Sequence, residues 1–153
     1  MPNTIKVRPI EQQDRIQWEP LWTGYNAFYG REGDTALPTA VTDATWKRFF
    51  DPAEPVYALV AEENGRIVGM AHYLFHLSTT RIEGVCYLQD LFTEKTQRGR
   101  GVGRALILAV YDQARARGVK RVYWQTQESN VAGRQLYDKV AKYDGFIVYG
   151  QNL

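Results

Sequence analysis

The run Gln97-Arg98-Gly99-Arg100-Gly101-Val102-Gly103 carries the plainest chemistry in the chain. A strand-like stretch from Val85 to Thr93 precedes it, and an amphipathic one bearing Val102, Leu106, Ala109, Val110 and Ala114 follows. Glycines without a Cβ at such a strand-to-helix turn leave several backbone N–H groups exposed at the positive end of a helix, which makes a seat for an anion. Arg98, Arg100 and Arg104 add fixed charge and planar donor forks that suit phosphate oxygens. Two common phosphate motifs fail on spacing. Counted from Gly99, Arg104 stands where a dinucleotide fingerprint needs its last glycine, and no Gly-Lys-Ser/Thr follows to make a P-loop. The alternative reading of the turn is an ordinary glycine-rich connection, against which its three glycines and three arginines count.

Other chemistry-bearing side chains are fewer. Trp18, Trp22, Tyr25 and Tyr29 recur at spacings of four, three and four, with Leu21 and Phe28 beside them, so one helical face is strongly aromatic. Such rings pack a core or border a pocket where π faces hold a cationic amine. Glu19 and Glu32 are carboxylates that either anchor an ammonium or, as they read first, form solvated surface. His72 and His76 share one face of a strand and either line a pocket, relaying a proton, or serve as hydrogen-bonded strand residues. Cys86, in an apolar strand, reads as inert core. No Cys, His or carboxylate cluster has metal-ligand spacing, so no metal is expected.

The elements that must position these groups alternate. Thr4 to Pro9 reads as a first strand. Glu11 to Tyr29 is helical in character, with a break or kink expected near Glu19 because Pro20 cannot donate inside a helix. A loop from Gly30 to Thr42 leads to a short helix from Asp43 to Phe50. Strands from Val56 to Glu62 and Ile67 to Phe75 flank Asn64-Gly65, a strong hairpin signal. After Val85 to Thr93 and the glycine turn comes a helix stopped by Gly118, then a strand from Val119 to Thr126. Ser129 or Asn130 caps a last helix bearing Ala132, Leu136, Val140 and Tyr143, and Gly145 ends it before a short strand from Phe146 to Tyr149.

The chain of 153 residues has no repeat, linker or low-complexity tract, so residues 1–153 read as one α/β domain. A domain of this size buries roughly 70% of its unfolded surface and needs no disulfide or metal. A lone cysteine fits a reducing compartment, hence a cytoplasmic location. No apolar stretch approaches the roughly 20 residues of a membrane span, and Met1-Pro2-Asn3-Thr4 opens no signal peptide. The net charge of +2 is too small to argue for nucleic acid. Positive charge is instead local, around 98–104 and at Arg115, Arg117, Lys120 and Arg121, which favours one anionic ligand.

Gln/Arg-x-x-Gly-x-Gly/Ala, met here by Arg98-x-x-Gly101-x-Gly103, resembles the pyrophosphate-binding motif of the GCN5-related N-acetyltransferases, the GNAT family. The order of strands and helices resembles that fold over nearly the whole chain. Trp18, Trp22, Tyr25 and Phe28-Tyr29, Leu88-Gln89-Asp90-Leu91-Phe92 and the long spacing from Tyr137 to Gly145-Phe146 resemble the diamine/histone-type subgroup, whose members acetylate polyamines, histones or D-amino acids.

The resemblance implies a mixed, largely antiparallel sheet flanked by helices. It implies acetyl-CoA as co-substrate and direct transfer of its acetyl group to the primary amine of a small molecule. The cofactor would lie on Arg98, Gly99, Arg100, Gly101, Val102, Gly103 and Arg104, with a bulge at Leu91, Phe92 and Thr93 freeing backbone donors and Asn130 contacting its arm. Tyr137 stands where the family places a general acid for the leaving thiolate, and a phenol with pKa about 10 is apt for that. The subgroup's glutamate is replaced by Gln89, which cannot accept a proton. Asp90 is then the candidate carboxylate, although strand alternation sets it on the face opposite Gln89 unless a bulge intervenes. Trp22, Tyr25, Tyr29 and Gln89 would border the acceptor. A sheet short of a strand at the C-terminal end implies a homodimer whose partner completes the edge. Two further readings stay open: a non-catalytic module that binds CoA or another phosphorylated ligand, and a protein or peptide N-acetyltransferase.

Overall fold

A computed structural model describes residues 4–153; residues 1–3, which bear on the leader-peptide reading, lie outside the described residues. Asn64 at φ 53° and Gly65 at φ 77° form the two-residue left-handed turn that Asn-Gly favours. That turn joins β2 (Val56–Glu63) to β3 (Arg66–His76). β1 (Lys6–Pro9) adds antiparallel to β2, and β4 (Val85–Thr93) adds antiparallel to β3. β5 (Val122–Tyr123) pairs parallel with β4. The order β1-β2-β3-β4-β5 gives the mixed, largely antiparallel sheet expected.

Helices cover both faces because successive strand residues point to opposite sides. Leu59, Ala61, Val68 and Ala71 meet Val102, Leu106, Ile107 and Val110 of α3 (Val102–Ala116). Val60, Ile67 and Met70 meet Trp18, Leu21, Trp22 and Tyr25 of α1 (Arg15–Phe28) and Trp46 of α2 (Thr39–Arg48). Trp18, Met70 and Leu106 are fully buried, each contributing roughly 2–3 kcal/mol of apolar transfer. α4 (Val131–Val140) lies against α3.

Five expectations about the elements need correction. No break occurs near Glu19: α1 runs from Arg15 to Phe28 with Pro20 inside it and exposed. The bond that Pro20 cannot make would go to the carbonyl of Ile16, a residue 84% exposed, so the missing bond falls on the solvent side of the helix. α2 opens earlier than Asp43, because Pro38 at φ −56° and ψ 142° ends the loop and Val41 N–H bonds to its carbonyl. The strand expected from Val119 to Thr126 shrinks to Val122–Tyr123. Val119 instead closes the end of α3: its N–H bonds to Ala114 O and that of Gly118, at φ 80°, bonds to Arg115 O, with the Val119 side chain buried.

The last helix stops at Val140, whose carbonyl accepts from the Tyr111 hydroxyl at 2.8 Å. Phe146 to Tyr149 forms no strand, because β5 is too short to offer it a ladder. Phe146, Ile147, Val148 and Tyr149 are all exposed.

Candidate active site

A one-residue insertion in β4 organises the site. β3 and β4 pair His72 with Asp90 but Tyr73 with Leu88, so Gln89 is an extra residue on β4. Up to there Cys86 and Leu88 face α3; beyond it Leu91 resumes that face and Phe92 packs with the α1 cluster. Asp90 therefore turns toward α1 instead of into the apolar core beside Leu88. Gln89 and Asp90, expected on opposite faces, line one cavity. The expected bulge exists, at Gln89, two residues before Leu91.

That cavity, of about 650 Å³, is walled by Trp22, Tyr25, Tyr29, Phe49, Gln89 and Asp90 among others. His72 Nδ1 lies 2.9 Å from Asp90 Oδ2, and His72 Nε2 accepts from Trp18 Nε1 at 3.0 Å. Indole N–H can only donate, so His72 carries its proton on Nδ1 and gives it to the carboxylate. His72 is 2% exposed and packs between Trp22 and Phe49, with ring centroids at 5.3 and 4.7 Å. Tyr25 donates to Gln89 O at 3.3 Å, holding the bulge from the α1 side. Burial raises its phenol pKa, and the Asp90 charge raises it further. Trp22 donates to Thr42 and stacks on Trp18 and Tyr25, so part of the aromatic face is core while Trp22, Tyr25 and Tyr29 also border the cavity. His76 is separate, bonded to Tyr123 at 2.8 Å. Burial pushes the Cys86 thiol up to about 12, which keeps it inert.

Beyond Tyr87 no strand pairs with the β5 side of β4 among the described residues, so the edge at Leu91, Phe92 and Thr93 is open there. At its end lies the glycine turn. Gly99 and Gly101 have φ of 78° and 86°, and open space surrounds both. Ala105 N–H makes the first helical bond to Gly101 O, so the N–H groups of Val102, Gly103 and Arg104 precede it. Arg98 donates to Thr93 O at 3.1 Å and lies 5.3 Å from the Phe92 ring. Arg100 pairs with Glu63 at 3.1 Å, and Arg104 is exposed.

Tyr137 faces a small cleft shared with Tyr25, Tyr29, Gln89, Leu91 and Trp124, its ring 5.5 Å from Trp124. Burial, then the nearby Tyr29, raises its phenol pKa. Asn130 caps α4: Oδ1 accepts from Gly133 N–H at 3.1 Å and Nδ2 donates to Thr126 at 2.9 Å, leaving one N–H of the amide uncommitted. Glu19 pairs with Arg15, away from the cavity, and Glu32 does not line it. Arg31, on the cavity wall, stands outside the residues chosen from sequence, and His72, read there as a pocket or strand residue, was not expected as the partner of Asp90. The i, i+2 spacing of strand residues carries no sign of a cross-strand histidine–aspartate pair. Among the described residues no metal-binding cluster occurs and no helix is long and apolar enough to cross a membrane.

The model of the acetyltransferase (GNAT) family matches residues 18–143. Over 150 residues the chain is 37% identical to the D-amino-acid N-acetyltransferase HPA3 of Saccharomyces cerevisiae, covering 97% of this chain and 91% of that protein. It is 30% identical over 151 residues to the uncharacterized N-acetyltransferase YhfO of Bacillus subtilis, covering 97% and 98%. The solved aminoglycoside N-acetyltransferase AAC(6')-Iy in complex with CoA superposes with a TM-score of 0.77 at 17% identity, covering 99% of this chain and 97% of that one. At that identity the likeness is one of fold.

Proposed function

The chain belongs to the GNAT acetyltransferase family, and from that premise we propose that it moves the acetyl group of acetyl-CoA to the primary amine of a small molecule by direct attack, as one of the diamine/histone-type subgroup. The bulge at Gln89 carries the reading, because it brings Asp90 to the cavity next to the point where β4 and β5 part. The yeast relative, a D-amino-acid N-acetyltransferase, supports a small amine as acceptor.

The chain has donors that fit CoA. The N–H groups of Val102, Gly103 and Arg104, the open turn at Gly99 and Gly101 and the side chains of Arg98, Arg100 and Arg104 suit a pyrophosphate. The unpaired edge at Leu91, Phe92 and Thr93, with the remaining amide N–H of Asn130, suits the cofactor's amide-bearing arm. Bound there, acetyl-CoA supplies an activated acetyl thioester. Asp90, fixed by His72, holds the acceptor's ammonium and receives hydrogen bonds as its proton leaves through water; Trp22, Tyr25, Tyr29 and Gln89 confine it. Tyr137 keeps a proton at its hydroxyl for the departing sulfur. We further propose that residues 1–153 form one domain, acting in the cytoplasm as a homodimer.

The test is CoA release from acetyl-CoA across a panel of primary amines. Turnover is expected with small amines, and Asp90→Asn should lower kcat/KM by about 10²-fold or more. An inert wild type with every amine would overturn the reading; full activity in Asp90→Asn would remove that residue from it.

A further inference from the structure

The cavity that holds Asp90 also holds a cation that the protein has built into place. Arg31 follows α1, and its Nε donates to Asn26 Oδ1 at 2.7 Å. Asn26 is 4% exposed, and its Nδ2 donates to Trp22 O at 2.8 Å, which sets the amide's orientation. The Arg31 backbone N–H also bonds to Asn26 O, and the guanidinium lies 5.5 Å from the Tyr29 ring. Nε is thus occupied, while the two terminal nitrogens keep four N–H groups in a plane. Arg8, Arg15 and Arg66 each pair with carboxylates; among the described residues no carboxylate pairs with Arg31. A buried amide is spent on aiming a guanidinium that has no anion of its own.

Arg31 and Asp90 line the same cavity, with Tyr25, Asn26 and Tyr29. Both charges act on the same two phenols: Asp90 raises the pKa of Tyr25 and Tyr29, and Arg31 lowers it. One wall therefore attracts an ammonium and another, across the two tyrosines, attracts an anion. A polyamine meets repulsion at the second wall; a zwitterion meets partners at both.

We propose that Arg31, aimed by the buried Asn26, is the specificity-determining residue of the acceptor site, binding the carboxylate of an amino acid whose ammonium lies at Asp90. This rests on the N-acetyltransferase reading above and names its substrate class. The planar fork matters as well as the charge, since a carboxylate can take two parallel N–H bonds from it.

The experiment compares kcat/KM, from CoA release, for phenylalanine of both configurations, phenylalaninamide, phenethylamine and spermidine, in wild type, Arg31→Gln, Arg31→Lys and Arg48→Gln. At least one configuration of phenylalanine is expected to exceed its amide and amine by about 10²-fold in wild type, with spermidine poorest. Arg31→Gln should bring that ratio close to one, chiefly through KM for phenylalanine, and Arg31→Lys should restore part of it. Equal or better use of phenethylamine or spermidine by wild type overturns the proposal, as does a uniform loss across acceptors in Arg31→Gln. Collapse of the ratio in Arg48→Gln instead would move the anchor to that exposed cavity residue. In each of these cases amines are still acetylated and the parent reading stands; no CoA release with any acceptor removes both.

Discussion

Two side chains in the site are defined by where their protons sit. His72 is held at both ring nitrogens, giving its Nδ1 proton to Asp90 and receiving one from Trp18, so a second proton on Nε2 would set two N–H groups face to face. Its contribution is orientation of the carboxylate. Tyr137 is the opposite case, a hydroxyl whose pKa is raised by burial and by Tyr29. A raised phenol pKa means that the neutral, proton-donating form persists past the usual value of about 10. Activity dependent on that proton is therefore expected to fall only above pH 10. Tyr137→Phe should reduce kcat by about 10²-fold while leaving CoA affinity nearly unchanged, and it should abolish the alkaline fall. Wild-type turnover in Tyr137→Phe, or an unchanged alkaline limb, would assign the ring to packing against Trp124. The type and place of Tyr137 were readable from Asn130 and Leu136 before it. The His72–Asp90 pair was not, because it depends on which residues of two strands stand opposite each other.

At the scale of elements, what local chemistry dictates was legible and what pairing dictates was not. Asn64-Gly65 names its turn type, and Val85–Thr93 appears with the boundaries its composition suggests. The position of the bulge escaped, because a period of two read along Leu88 to Phe92 shows no extra residue; the register with β3 inserts one at Gln89, ahead of Leu91, Phe92 and Thr93 where it was expected. β5 was read too long for a related reason. Its apolar residues continue past Tyr123, but Trp124 leaves the sheet to pack against Tyr111 and Tyr137. That departure opens the cleft beside β4. The glycine turn was legible, and its φ values set the next expectation. Gly101 at 86° has room for a side chain but not the backbone conformation for one. Gly101→Asp adds strain at the start of α3 and a negative charge where an anion is to bind. Calorimetry with CoA should show a loss of about 10-fold or more, each charge-assisted bond being worth roughly 1.5–3 kcal/mol. Unchanged affinity would move the pyrophosphate seat elsewhere.

At the scale of the molecule, a continuous apolar segment is left uncovered among the described residues. Phe146, Ile147, Val148 and Tyr149 are 81%, 69%, 70% and 88% exposed, a continuous run of strand-forming residues beside a sheet whose last strand has two residues. Four such side chains in water are unfavourable by roughly 1.5–3 kcal/mol each relative to burial, and a free sheet edge invites a further strand. Asp144 pairs with Arg121 at 3.3 Å, which holds the root of the segment near β5, and Val148 lies on the rim of the acceptor cavity. A second copy of the chain offers the same edge and the same apolar run, so two copies related by a twofold axis satisfy each other. The proposed homodimer is expected to use this segment. Sedimentation equilibrium should give twice the chain mass, and Phe146→Asp with Val148→Asp should give a monomer whose circular dichroism stays native, because neither side chain lies in the core. Because Val148 borders the cavity, that monomer should also show a raised KM for the amine with an unchanged KM for acetyl-CoA. A monomeric wild type, or a dimer indifferent to both substitutions, would place the contact elsewhere or remove it.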